Sequence, residues 1–63
     1  MIIIEVTFTD WNGNERTIKI TSDNCIAFNN CKNDVDLFTL AIKYVERRWI
    51  ECYNINKVEV IAR

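Results

Sequence analysis

Residues 34–53 carry the pattern that most constrains how this chain can fold. At about 100° per residue, Leu37, Phe38, Ala41, Ile42, Tyr44, Val45, Trp49 and Cys52 fall on one arc. Asp36, Thr39, Lys43, Glu46 and Arg47 fall on the opposite one. The spacing predicts one amphipathic helix of about five turns. Its apolar arc covers about half the circumference, far wider than a seam between two helices, so the helix needs a sheet beneath it. Asn33 or Asp34 is the predicted N-cap, and Asp34 and Asp36 suit the positive end of the helix dipole. Arg47 and Arg48 sit towards the other end, with Asn54 as a left-handed terminator.

The rest of the chain reads as that sheet. Ile2, Ile4, Val6 and Phe8 alternate with Ile3, Glu5, Thr7 and Thr9, a period-2 strand over residues 2–9. Asn12-Gly13 is a strong hairpin signal, and a second strand follows over Glu15–Thr21 with Ile18 and Ile20 on one face. A two-residue turn at Asn12-Gly13 would place Ile18 and Ile20 on the side of Thr7 and Glu5 and split the apolar set. A three-residue loop, Trp11-Asn12-Gly13, instead pairs Asp10 with Asn14, Val6 with Ile18 and Ile4 with Ile20. Gly13 supplies the left-handed residue this loop needs, and Glu5 then faces Lys19 while Thr7 faces Thr17.

Residues 22–33 are irregular, with turn-formers Asp23-Asn24 and Asn29-Asn30 bracketing the apolar island Cys25-Ile26-Ala27-Phe28. The island is either a short extra strand or a loop whose Ile26 and Phe28 close one end of the core. The last strand spans residues 56–62, with Val58, Val60 and Ala62 inward and Lys57, Glu59 and Ile61 outward. The first strand is the most apolar, so it belongs at the centre. The expected fold is α+β: one domain over residues 1–63, a two-layer ββαβ unit with an antiparallel three-stranded sheet in the order 2-1-3 on one helix.

Composition narrows the function classes. At 49% hydrophobic with two Trp, two Tyr and three Phe, the chain is a folding sequence rather than a disordered one. Eight basic residues against nine acidic ones exclude the basic excess of a dedicated nucleic-acid binder and the acidic excess of a DNA mimic. No apolar run reaches the roughly 18 residues of a membrane span. Met1-Ile2-Ile3-Ile4-Glu5-Val6 lacks the basic flank and cleavage site of a secretory signal. An odd count of three cysteines favours free thiols in a cytoplasmic chain. Eight Asn and ten Ile, with one Gly and no Pro, match the bias of AT-rich bacterial genomes and their phages.

Catalytic equipment is sparse. The chain has no His, no Gly-rich phosphate loop and no carboxylate pair placed to share a cleft, so it reads as a non-enzyme without cofactor or metal. Cys25, Cys31 and Cys52 form no CxxC pair and lack a His to complete a zinc site. A Cys25–Cys31 disulfide would close a short loop. The alternative is that Cys52 packs in the core while the other two are reduced loop thiols.

Surface candidates remain. Trp11 at the hairpin tip either anchors a partner or folds back over the hairpin. On the predicted helix, Ile50 projects away from the apolar arc, where it could form a stripe with Arg47 and Leu40. Arg48 falls inside the arc, to snorkel to the core's edge or meet a carboxylate. Arg47, Arg48, Lys57 and Arg63 could gather beside Trp49 and Tyr53 as a nucleic-acid patch, although Glu46, Glu51 and Glu59 are interleaved. The outer sheet face, with Ile3, Thr7, Thr17, Thr21 and Ile61, could be plain surface, a dimer interface or a landing site, and an exposed edge could accept a strand.

The expected function is that of a small, non-catalytic protein-binding modulator or inhibitor. A phage or mobile element would encode it against a host protein, for example in a defence system. Its anchors would be Trp11, Arg47, Ile50 and Tyr53. The alternatives are a small nucleic-acid-binding or transcription-modulating domain and a self-assembling structural subunit. Homodimer formation stays open.

Overall fold

A computed structural model describes all 63 residues. The order is β1 (Ile3–Asp10), β2 (Glu15–Thr21), a 3-10 turn (Ile26–Asn30), α1 (Asp34–Arg48) and β3 (Cys52–Ala62). The strands form one antiparallel sheet in the order β2-β1-β3, and α1 covers one face, giving the two-layer α+β arrangement. No helix is long and apolar enough to cross a membrane.

The hairpin follows the three-residue reading. Val6 pairs with Ile18, Ile4 with Ile20, Glu5 with Lys19 and Thr7 with Thr17. The Asp10 N–H donates to the Asn14 carbonyl at 2.9 Å, and Gly13 has φ +85°. That value lies where a Cβ is penalised, which is why glycine stands there. β1 starts and ends one residue later than residues 2–9, because Asp10 still pairs with Cys52.

The helix is shorter than its periodicity suggests. It ends at Arg48 rather than at residue 53, and β3 begins at Cys52 rather than at residue 56. Trp49 is the C-cap, its N–H donating to the Val45 carbonyl, and the Cys52 N–H then closes a turn on the Trp49 carbonyl at 3.0 Å. Trp49 and Cys52 are three apart, a spacing that serves a helix face and this turn equally well. Cys52, Asn54 and Ile55 instead extend the ladder along β1. Asn54 is therefore a strand residue, and Gly13 alone has positive φ. The other end of α1 is as expected, with the Asn33 side chain accepting from the Asp36 N–H at 2.9 Å.

The core comprises Ile4, Val6 and Phe8 of β1, Ile20 of β2, Phe28, and Leu37, Ala41 and Val45 of α1. Phe38 and Ile42 are only half-buried, at the arc's margin. The apolar island is a 3-10 turn rather than a strand, and it closes the core with Phe28 alone. Phe28 is fully buried, whereas Ile26 is 72% exposed. A five-residue turn with three residues per revolution points only part of its surface inward, so one aromatic takes the core position. Below it, Ser22 and Ile2 exchange bonds: the Ser22 N–H donates to the Ile2 carbonyl and the Ile2 N–H to Ser22 Oγ.

Candidate interaction surface

The hairpin tip is held from within by Asp10. Its buried carboxylate oxygen Oδ1 accepts from the Asn12 and Asn14 N–H groups, each at 2.9 Å. One side chain thereby satisfies two donors that the three-residue loop leaves without a backbone partner. From the side, the turn between α1 and β3 braces the tip. The Trp11 N–H donates to the Glu51 carbonyl at 3.1 Å, and Arg16 Nη1 donates to Glu51 Oε1 at 2.7 Å. The Arg16 guanidinium lies 5.7 Å from the centre of the Phe8 ring, roofing the core where the helix has already ended.

On this braced frame sits an aromatic pair. Trp11 and Tyr53 meet edge to face with ring centres 4.7 Å apart, yet they remain 68% and 62% exposed. Trp11 therefore packs sideways on Tyr53 instead of covering the hairpin. Tyr53 reaches it because β3 is bulged: Asp10 pairs with Cys52 and Thr9 with Asn54, leaving Tyr53 outside the ladder. A second slip leaves Asn56 out between Ile55 and Lys57. Its Nδ2 donates to Thr9 Oγ1, and its Oδ1 accepts from Asn54 Nδ2, each at 2.8 Å.

The four expected anchors divide into two places. Trp11 and Tyr53 touch, and Ile50, 85% exposed, lies in the turn next to Glu51 that braces them. Neither Ile50 nor Tyr53 is on the helix, which stops before both. Arg47 is elsewhere, lining a concavity of about 500 Å³ between the 3-10 turn and α1 with Cys25, Ala27, Leu40, Tyr44 and Arg48. The stripe of Ile50, Arg47 and Leu40 does not form, because the chain has left the helix by residue 50. Arg48 finds no carboxylate and stacks on Tyr44, its guanidinium 4.6 Å from the ring centre.

The proposed basic patch is dispersed as well. Lys57 lies on the sheet face opposite the helix and pairs with Glu59 at 3.1 Å, while Arg63 pairs with Asp34 at the start of α1. Arg47 and Arg48 lie at the other end of α1. The middle of the uncovered sheet face is polar, with Thr7 and Thr17 hydroxyls 3.2 Å apart and Glu5 flanked by Lys19 and Glu59, while exposed Ile61 lies by Ile3 towards one end.

All three cysteines are free thiols. Partial burial, then the nearby charges of Glu46 and Glu51, push the Cys52 thiol above its ordinary value. Cys31 is pushed up in the same direction by desolvation, then by Asp36 and Cys25. Both shifts keep the sulfur protonated, opposite to what a nucleophilic cysteine requires.

The aromatic tip is what sequence reasoning saw only in part. Trp11 stands out by its place beside Asn12-Gly13, but Tyr53 joins it through a bulge that no local pattern announces. The chain matches no protein-family model, no curated protein and no solved structure.

Proposed function

We propose that this protein is a small, non-catalytic binding module that modulates a partner protein by stoichiometric attachment through its hairpin tip. The observation that carries the reading is the exposed Trp11–Tyr53 pair on a braced loop. Large aromatic side chains dominate the energetics of protein interfaces, and holding them in place beforehand reduces the entropy lost on docking. Ile50 extends the apolar surface, and the Arg16–Glu51 pair supplies a polar rim. The absence of His and the protonated state of Cys31 and Cys52 support the non-catalytic part of the reading. Three free thiols suit a reducing, cytoplasmic setting. The Asn- and Ile-rich composition makes a bacterial host protein, inhibited by a phage or mobile-element product, the partner to test first.

The test is capture from bacterial lysate, with and without nuclease treatment, on the immobilised chain, run beside a Trp11→Ala, Tyr53→Ala double variant. A stoichiometric protein held by the parent and lost by the double variant supports the proposal. A protein retained equally by both places the binding surface elsewhere, and capture that disappears with nuclease refutes the protein-binding reading.

A further inference from the structure

The two edges of the sheet differ in a way that concerns a different surface from the aromatic tip. β3 slips register against β1 three times, at Tyr53, Asn56 and Ile61, so its outer edge is broken into short runs. Bulges of this kind are a common way for proteins to keep an edge from pairing. β2 has none. It pairs with β1 in one unbroken register from Thr9–Glu15 to Ile3–Thr21 and contains no proline.

The direction of its backbone groups follows from the bonds at the two ends of the hairpin. Asp10 N–H to Asn14 carbonyl marks a bonded pair at the tip, and Ser22 N–H to Ile2 carbonyl marks one at the base. Antiparallel ladders alternate, so Arg16, Ile18 and Ile20 turn their N–H and C=O groups to β1. Glu15, Thr17 and Lys19 turn theirs to the open edge, and all three residues are exposed. Thr21 is already occupied, its carbonyl accepting from both the Asn24 and Cys25 N–H groups.

We propose that β2 is a self-pairing edge, through which two copies of this chain join antiparallel with Thr17 facing the second copy's Thr17. In this register Glu15 faces the second copy's Lys19, and Lys19 faces its Glu15. Each facing pair exchanges two backbone hydrogen bonds, and neither Glu15 nor Lys19 has an ion-pair partner within its own chain. The neighbouring registers are worse. Centring on Glu15, Arg16 or Lys19 sets like charges opposite each other. Centring on Ile18 leaves both charges unpaired and asks Thr21 for a carbonyl that is already taken. In the chosen register, half-buried Ile18 gains the second copy's Arg16 stem as cover. The dimer is one continuous sheet, with its two aromatic tips pointing in opposite directions.

Sedimentation equilibrium together with amide hydrogen exchange across a concentration series tests this. The expected result is a monomer–dimer equilibrium in which the Glu15, Thr17 and Lys19 amides gain protection as the dimer fills. The Glu15→Lys variant keeps the fold, because this exposed side chain makes no bond within the chain. It sets two lysine pairs face to face and should weaken dimerisation by about tenfold. Thr17→Pro, which removes an edge-facing donor and no backbone bond to β1, losing only the exposed Thr7–Thr17 hydroxyl contact, should weaken it further. A chain that stays monomeric to millimolar concentration overturns the proposal. So does a dimer in which those three amides exchange freely, or one that is indifferent to both substitutions.

Discussion

β1 has two neighbours, and it pairs with them differently. Towards β2 the register runs without a break, while towards β3 it slips three times. The unbroken flank is set by local chemistry: alternating apolar residues, the Trp11-Asn12-Gly13 loop, and Asp10 bonding the loop from below. The slipped flank is set by where α1 returns the chain, and two of its three extra residues reach sideways. Tyr53 goes to Trp11 and Asn56 to Thr9. A regular ladder contributes stability and leaves a straight edge. A bulged one gives up pairing to place particular side chains, and here it assembles the exposed aromatic pair.

Removing Asp10 should have the largest effect, because Asp10 belongs to both flanks. It caps two loop amides on the β2 side and pairs with Cys52 on the β3 side. Asp10→Ala should cost about 2–3 kcal/mol in urea unfolding, since it strands two N–H groups that now bond to a carboxylate. Asp10→Asn keeps an oxygen at that position and should cost about 1 kcal/mol or less. Equal losses from the two variants would mean that the cap does not order the tip.

Gly13→Ala acts on the β2 flank alone. Nothing lies within 4 Å of the Cβ it would add, so the cost is the left-handed backbone itself, about 1 kcal/mol. Amides of the β1–β2 ladder should exchange faster while those along Val58–Val60 keep their protection. A uniform change would show the two flanks to be one cooperative unit.

The smallest effect concerns the β3 flank. The folded state raises the Cys52 thiol, chiefly through burial and then through Glu46 and Glu51. The folded chain thus holds that proton more tightly than the unfolded one. The associated stability is full below the ordinary thiol value of 9.0 and declines as pH rises through the raised one. Unfolding free energy followed from neutral to alkaline pH should fall less steeply in Cys52→Ala than in the parent chain. Identical slopes would remove Cys52 as a source of the decline.

Legibility in the sequence followed the same division. The hairpin register could be worked out because a wrong turn length would have sent Ile18 and Ile20 to the wrong face, leaving one consistent answer. Strand order followed from the contrast between an apolar β1 and two charged neighbours. The junction after Arg48 was not legible, since Trp49 and Cys52 satisfy helical spacing while actually closing a turn. That one boundary carried Ile50 and Tyr53 with it. Helical spacing places Ile50 beside Arg47 and Tyr53 at the helix's end, whereas the structure sets Tyr53 against Trp11 and leaves Arg47 in the groove by the 3-10 turn. Bulges depend on tertiary pairing, so period-2 alternation alone could not reveal them.

The proposed binding surface is the aromatic tip rather than the groove holding Arg47. Calorimetric titration of the captured partner with Trp11→Ala and, separately, Arg47→Ala tests it most directly. The expected result is a loss of at least about tenfold in affinity for Trp11→Ala, equivalent to about 1.4 kcal/mol, and no significant loss for Arg47→Ala. Full affinity in Trp11→Ala with a loss in Arg47→Ala would contradict it and move the interface to the groove between α1 and the 3-10 turn.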